Sequence, residues 1–440
     1  MTTDFKKIII FLNDAILLYF SLIITILIRY QWGEFQEVFS NHFWPFTLIF
    51  GIWLIIFYLA DLYRIGTFRF DAATSQKFTF VLVINVVISI IIFYLFDPFF
   101  KLTPKTNLLI FSIIFGILDF AWRFFLMRIY IHGGWRNRLF IIADSNIADE
   151  LADYLNKNPQ IGYDVVHQAK NLKLSEKEIK NVITNKQIDT LVIQSEIKKD
   201  NRIVKNIYRL LSHNIAVIDL ISFYETVFQK IPVNELDENW FIEKIILRKN
   251  FYDSAKKIVD FTTALILLVL FSPIMVIIAV AIKISSSGPI IYKHERTGLK
   301  GKNFIFYKFR SMKTNHNGPH WTIEKDDRIT AIGKIIRYTH LDELPQLYNV
   351  LKADISFIGF RPEQKELAEL YNSQLPYYEM RHLIKPGITG WAQLNYKPSA
   401  SIEEAKEKLA YDLYYIKNRS FSLDGLIILK TIKTFFVNPK

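Results

Sequence analysis

Apolar residues in this chain come first in long unbroken runs and later in short ones. Residues 8–28, 43–59, 78–96 and 107–127 are each apolar over the length that a helix needs to cross a bilayer. Asn13 and Asp14 interrupt the first run and no small-residue cleavage site follows it, so it reads as a span rather than a removable signal. From residue 136 the period changes. Short buried-strand runs at 139–143, 164–167, 190–194 and 216–220 alternate with helix-like stretches at 146–156 and 201–211, which predicts a small parallel α/β domain. A fifth long apolar run covers 261–282. Further on, Leu344, Leu347, Val350 and Leu351 fall at helical spacing, with Pro345 where a first turn tolerates it. That helix is expected to start at or just before Asp342, which leaves Asp342 and Glu343 side by side at its positive end.

Basic residues orient the first four runs. Lys6 and Lys7 precede the first, Arg64, Arg69 and Lys77 lie between the second and third, and Arg128, Arg136 and Arg138 follow the fourth. The other two connections carry Glu34 and Glu37, or Lys101 and Lys105. The positive-inside tendency then puts both ends of a four-helix transmembrane bundle, residues 1–130, in the cytoplasm. Asp14 lies near that face. It is either a functional intramembrane charge or, as we expect, a group solvated there or paired with Lys6 or Lys7.

The fifth run is ambiguous. Lys256 and Lys257 stand ahead of it, and from Lys283 onward there are 25 Lys and Arg against 16 Asp and Glu. Ser272-Pro273 interrupts its middle. Proline frees a backbone carbonyl, which the serine hydroxyl can satisfy. From the residues alone, an ordinary kinked span and a helix that enters and leaves by one face fit equally. Asp260 is expected to orient this helix by pairing with Lys256 or Lys257.

Composition narrows the classes. The 440 residues suffice for two or three domains, and 51% hydrophobic residues with a mean hydropathy of +0.18 place part of the chain in lipid. A net charge of +12 suits an anionic membrane face or a phosphorylated substrate; no nucleic-acid motif accompanies it, and no nucleic-acid partner is expected. The absence of cysteine excludes disulfides, thiolate metal sites and cysteine nucleophiles. The first α/β strand runs into Ile142-Ala143-Asp144-Ser145-Asn146, without the glycine that lets a backbone approach a pyrophosphate. The expectation is a degenerate Rossmann-like domain at 136–235 that binds no dinucleotide and serves as scaffold or regulator. The 315–320 loop, with Gly318-Pro319 and two histidines, reads as a mobile connector.

Taken alone, Asp342 and Glu343 read as a cap and a first-turn acid. Their company points elsewhere. Lys308 and Arg310, two apart in the bulky 304–312 run, would share one strand face, and Arg337 and Arg361 add two guanidinium groups. A carboxylate can attack phosphorus only where phosphate charge is neutralised by basic side chains and a divalent ion. Arginine forks suit that task because they bind phosphate oxygens in pairs.

Several collinear stretches carry a resemblance: Lys256-Lys257-Ile258-Val259-Asp260, Ser272-Pro273, 307–312, 341–346, Arg361-Pro362, 386–393 (Pro-Gly-Ile-Thr-Gly-Trp-Ala-Gln) and 411–415 (Tyr-Asp-Leu-Tyr-Tyr). From about residue 256 to 436 the chain resembles the bacterial sugar transferases, the monotopic polyprenyl-phosphate hexose-1-phosphate transferases. Its spans and α/β domain resemble the large members that start exopolysaccharide or O-antigen repeat units. The resemblance implies a membrane protein of mixed α and α/β class, with a mainly helical catalytic domain at 250–440 and a re-entrant membrane helix at 256–284, broken at Ser272 and Pro273. It implies transfer of sugar 1-phosphate from a UDP-sugar to undecaprenyl phosphate with release of UMP. Asp342 would be the nucleophile, forming a phosphosugar-aspartyl intermediate, and Glu343 would assist it; the two acids would also hold Mg²⁺. Lys308, Arg310, Arg337 and Arg361 would grip phosphates. Asp412 is either a second metal or sugar ligand or a surface helix residue. A homodimer in the bacterial inner membrane, with its catalytic domain in the cytoplasm, is implied as well. Two departures stand out. The family's Gly-Pro-Arg-Pro reads Gly359-Phe360-Arg361-Pro362, which leaves the backbone path before Arg361 open, and the glycine-rich α/β turn is missing. Both motivate an alternative, a membrane scaffold or regulator of a polysaccharide assembly complex. The residues do not distinguish one hexose from another.

Overall fold

The computed structural model describes residues 3–60, 62–63, 72–96, 105–132, 136–171, 174–195, 205, 208–209, 215–245, 250–312, 328–396 and 401–437. The chain divides into two compact units, Met1–Phe228 and Gln229–Lys440. The 315–320 loop and most of the helix expected at 201–211 lie outside the described residues.

Four long apolar helices open the first unit: α1 (Thr3–Arg29), α2 (Phe35–Leu59), α3 (Ala72–Leu95) and α4 (Lys105–His132). They coincide with the four predicted runs. Inside, Phe46, Phe50, Trp53 and Phe57 of α2 meet Phe111 and Phe115 of α4 with ring centroids 5.3 to 5.9 Å apart. Outside, Ile16, Leu48, Ile55, Ile91 and Ile117 are exposed. An outward apolar surface of this extent suits lipid, where close ring packing rather than water exclusion holds helices together.

Asp14 is placed differently from expectation. It is fully buried, and its Oδ2 accepts from Arg123 Nη2 at 2.6 Å, while Arg123 Nε donates to Asp119 Oδ2 at 2.8 Å and Nη1 to Leu62 O at 2.9 Å. One guanidinium thus ties α1, α4 and the end of the α2 segment together. The partner is an arginine 109 positions away because the helices fold back on each other, bringing α1 against α4.

Strands β1 (Asn137–Ile142), β2 (Tyr163–Ala169), β3 (Thr190–Ile193) and β4 (Ala216–Asp219) follow, with helices α5 (Asn146–Lys157), α6 (Glu176–Lys186) and α7 (Leu220–Phe228). The strands form one parallel sheet in the order β2-β1-β3-β4. Both faces are covered, as a parallel sheet requires: Phe140 and Ile142 pack with Ile179 and Ile183, while Leu139 and Ile141 pack with Leu151, Leu155 and Phe223. In the turn after β1 the Asp144 N–H donates to the Gln194 side chain at 2.9 Å.

The second unit begins earlier than the α/β reading to residue 235 allowed. Ile231 N donates to Ala410 O at 3.0 Å, and Gln229 O accepts from the Trp391 indole at 3.0 Å. After α8 (Glu238–Lys244) comes α9 (Asn250–Ser285), the fifth apolar helix. Pro273 lies inside it, and Val269 O, which a residue-273 N–H would otherwise meet, accepts from Ser272 Oγ at 2.7 Å. The start of α9 is anchored by Asp424, which accepts from Tyr252 OH at 2.7 Å, Lys256 Nζ at 2.9 Å and Tyr415 OH at 2.8 Å. Lys256 therefore serves Asp424, and Asp260 meets the Phe357 N–H at 3.4 Å; among the described residues Asp260 forms no ion pair with either Lys256 or Lys257, the two expected partners.

The remaining elements are a hairpin of β5 (Ile291–Thr297) and β6 (Asn303–Phe309), then α10 (Ala331–Tyr338), α11 (Gln346–Leu351), β7 (Ser356–Ile358), α12 (Lys365–Gln374), β8 (Gly387–Thr389), α13 (Trp391–Asn395), α14 (Ile402–Asn418) and α15 (Phe421–Val437). β7 and β8 pair in parallel.

Replacing Arg123 with methionine leaves two buried carboxylates without their cation, a loss of about 3–5 kcal/mol for a broken buried pair. The expected outcome is a much lower melting midpoint of the full chain in detergent. Adding Asp14→Asn and Asp119→Asn to Arg123→Met should recover part of it.

Candidate active site

Asp342 and Glu343 do not start the helix that the sequence predicts. They occupy a separate 3-10 turn, Leu341–Glu343, and α11 begins only at Gln346 after Pro345. His340, in the left-handed region at φ 56°, ends the α10 segment and sends the chain into that turn. Pro345 has no N–H to continue an earlier helix, so the regular turns start after it.

Lys308 on β6 reaches across to this turn. Its Nζ lies 2.6 Å from Glu343 Oε1 and 3.8 Å from Asp342 Oδ2. Asn349 fixes the reach: it is fully buried, its Oδ1 accepts from Tyr307 N at 3.1 Å, and its Nδ2 donates to Ile305 O at 2.7 Å. One side-chain amide thereby locks α11 to the backbone of β6, on either side of the strand position that carries Phe306. The two acids behave differently. Burial raises the Asp342 carboxyl above the ordinary carboxylate range, and Glu343 raises it further, while Lys308 and Arg337 pull against both. Burial also works against the charge of Glu343, but Lys308, Arg361 and His340 outweigh it and hold that carboxyl low. Glu343 is the fixed anion of the pair and Asp342 the one held nearer to protonation.

Beside the acids opens a narrow polar cleft. Three cations line it, Arg296, Lys308 and Arg361, together with Glu343, the amides of Gln346 and Gln393, and a wall of Phe306, Pro362, Gly387 and Ile388. Glycine makes this wall. Gly359 N donates to Thr389 O at 2.9 Å and Gly387 N to Phe360 O at 2.8 Å, so two backbone segments lie almost in contact. A Cβ on Gly390 would stand 1.9 Å from Gly359 O, and one on Gly387 2.1 Å from Gly359 N. That close approach brings Arg361 and Gln393 to one cleft.

The other predicted site residues separate. Arg310 does not join Lys308: it is buried, and its guanidinium donates to Ser286 O at 2.8 Å, Ser286 Oγ at 2.8 Å and Ser287 O at 2.9 Å. The hairpin pairing continues through Arg310 N to Ile290 O at 2.9 Å, but the carbonyls of Ser286 and Ser287 take up its guanidinium instead of the acids. Asp412 is neither a cleft ligand nor a surface residue. It is buried in an ion pair with Arg381 Nη2 at 2.8 Å, where burial pushes its carboxyl up against the pull of that arginine. Arg337 stays near the acids through its effect on Asp342. Phe360 continues the β7 backbone by a parallel bridge to Pro386. Its buried ring carries the Arg381 guanidinium at 4.8 Å, and Arg381 in turn donates to Arg361 O at 3.2 Å. The departure from Gly-Pro-Arg-Pro is thus absorbed by an arginine laid over the new ring.

Four residues carry the site without having been assigned to it from the sequence: Arg296, Gln346, Asn349 and Gln393. Asn349 gave no signal in the sequence, since it lies about 200° around the helix from Leu347 and off the apolar face. Gln346 and Gln393 sit within quoted motifs and Arg296 in none, and nothing in their spacing says that they share a cleft.

A sequence model of the family described as Bacterial sugar transferase matches residues 251–438. A UDP-glucose:undecaprenyl-phosphate glucose-1-phosphate transferase of Xanthomonas campestris pv. campestris is 31% identical over 70% of this chain and 68% of its own length. The chain belongs to the bacterial sugar transferase family. A UDP-N-acetylgalactosamine-undecaprenyl-phosphate N-acetylgalactosaminephosphotransferase of Aeromonas hydrophila is 40% identical over 51% of this chain and 53% of its own length. A UDP-glucose:undecaprenyl-phosphate glucose-1-phosphate transferase of Escherichia coli (strain K12) is 40% identical over 42% of this chain and 40% of its length. The chain thus spans about half the length of several relatives it matches. In this bacterial sugar transferase the matched region contains every residue of the cleft.

Proposed function

We propose that this chain transfers sugar 1-phosphate from a UDP-sugar to undecaprenyl phosphate and releases UMP, the first step of an exopolysaccharide or O-antigen repeat unit. The observation that carries the reading is the Lys308–Glu343–Asp342 cluster beside a cleft with two further cations. Relatives named for this transfer at 31 to 40% identity support it.

In this mechanism an Asp342 oxygen attacks the phosphorus that bears the sugar. The bond from that phosphorus to the bridging oxygen breaks, and UMP leaves with the oxygen and its electron pair. An oxygen of undecaprenyl phosphate then attacks the same phosphorus and expels the Asp342 carboxylate, leaving the sugar on a lipid diphosphate. Lys308 and Arg361 offset the phosphate charge, and Arg337 favours the charged form of the nucleophile. Glu343, already anionic, keeps Lys308 positioned. A Mg²⁺ ion fits the donor set of Asp342 and Glu343, because it takes one or two carboxylates and completes its shell with water and substrate phosphate. Among the described residues no group of three or more His, Cys, Asp or Glu could hold a metal without such help. When bound, Mg²⁺ would supply further charge neutralisation at the phosphates.

The same reading makes α9 a re-entrant helix in the inner membrane, with the catalytic unit on the cytoplasmic side. Ala264, ahead of Pro273, packs with Phe306 and Val350; Ile278 and Ile282, behind it, pack with Phe309 and Ile336. A straight helix would separate residues 264 and 278 by roughly 21 Å at 1.5 Å per residue, whereas Phe306 and Phe309 lie only about 10 Å apart along a strand. Between the two contacts Ile266, Val269, Leu270, Val276 and Ile277 are exposed. Both ends on one unit with an apolar bend between them support a helix that dips into one leaflet and returns.

Asp342→Asn is expected to reduce UMP release by more than about a thousandfold. With donor labelled in the sugar-bearing phosphate and no lipid acceptor, the wild-type chain should retain label and Asp342→Asn should not; label on the mutant would remove Asp342 as nucleophile. Because burial raises Asp342, activity should fall with decreasing pH at a point above the ordinary carboxylate range, as the nucleophile takes up a proton. Lys308 favours the charged form, so in Lys308→Met the acid limb of kcat/KM should move to higher pH. The chain has no cysteine, so single cysteines report topology cleanly. Phe251→Cys and Ile284→Cys, at exposed positions on either side of Pro273, should both be labelled from the cytoplasmic face of membrane vesicles.

A further inference from the structure

Among the described residues, three buried polar atoms on side chains that line the cleft have no hydrogen-bond partner: Arg296 Nε, Gln346 Nε2 and Gln393 Oε1. Such atoms are costly to leave unmatched, and three on one cleft describe the ligand that would match them. Gln393 is oriented unambiguously, since its Nε2 donates to Ile388 O at 3.0 Å and leaves Oε1 as an acceptor facing no donor. Arg296 is held by Nη1 donating to Pro362 O at 3.0 Å and lies over the Phe306 ring at 5.7 Å, so its Nε is a fixed donor. Gln346 is 1% exposed and adds a second donor.

The diphosphate of a sugar nucleotide offers only acceptors. It can meet Arg296 and Gln346 but not Gln393 Oε1, which needs an N–H or O–H. A uracil ring offers a carbonyl, an N–H and a second carbonyl along one edge. We propose that Gln393, Gln346 and Arg296 form the subsite that reads the uracil imide of the donor, with Gln393 Oε1 accepting from N3–H and the two donors meeting the flanking carbonyls. This rests on the UDP-sugar reading above and extends it to the base. A cytosine places an acceptor where uracil has N3–H, opposite Gln393 Oε1, so the same three atoms would reject it.

The test is binding of nucleoside monophosphates to the full chain in detergent, measured calorimetrically, with UDP-sugar turnover alongside. Wild type should bind UMP more tightly than CMP or N3-methylated UMP, by at least about 30-fold, because N-methylation removes the donor that Gln393 needs. Gln393→Leu should bind N3-methylated UMP and UMP within about threefold of each other. This convergence separates a direct contact from general damage, which would weaken both ligands alike and keep their ratio. Equal binding of UMP and N3-methylated UMP by the unmutated chain overturns the subsite while UMP binding itself leaves the donor reading standing. If Gln393→Leu keeps the wild-type preference and raises KM only for the UDP-sugar, the amide meets a sugar hydroxyl and the proposal is again overturned. If neither UMP nor UDP-sugar binds, the donor reading fails and the subsite with it.

Discussion

Two carboxylates on neighbouring residues, both shielded from water, repel each other and lose hydration together. In this chain the conflict is resolved by Lys308, which pairs closely with Glu343 and stands a little farther from Asp342. The inequality matters. Glu343 becomes a settled anion, and Asp342 keeps a carboxylate whose charge is only partly compensated. Everything else in the site adjusts the distance from Lys308 to that turn. The β5–β6 hairpin sets the lysine, and Asn349 sets the turn by fastening α11 to the backbone of β6.

A second constraint is the contact between two backbone segments at Gly359, Gly387 and Gly390. Side chains of any size there would overlap carbonyl oxygen or amide nitrogen. The result is a cleft wall made of main chain, with Arg361 and Gln393 delivered to it from opposite segments. Behind the wall, Arg381 joins Phe360, Asp412, Tyr378 and the Arg361 carbonyl in one buried group. Burial, with Arg381 beside it, lowers the His382 imidazole to about 4, so this group holds its charge in Arg381 and Asp412. Arg381 and Asp412 therefore support the site from outside, as an ion pair whose loss would leave a buried charge uncompensated.

The fifth apolar helix relates these constraints to the membrane. Its first turns are tied to Asp424, and both of its halves pack on elements that also build the cleft. Phe306 and Phe309, on the strand that carries Lys308, are the residues those halves touch. The strand that carries Lys308 is thus positioned in part by the fifth apolar helix.

Much of this was legible in the chain itself. The apolar runs locate five long helices because lipid demands about 20 apolar residues, and the short runs locate four strands because a parallel sheet is covered on both faces. The adjacent acids, Lys308 and Arg361, singled out together from their charges and motifs, do come together in space. What required the tertiary structure was every pairing between distant residues. Lys308 and Arg310 look equivalent two positions apart, yet the Ser286 and Ser287 carbonyls capture Arg310 and only Lys308 meets the acids. Asp14 meets Arg123 and Asp412 meets Arg381 because burial removes water as an alternative partner, and the nearest cation in space then replaces the nearest in sequence. Arg296, Gln346 and Gln393 share a cleft for the same reason: spacing along a chain determines which face of an element a residue occupies, whereas packing determines what that face meets.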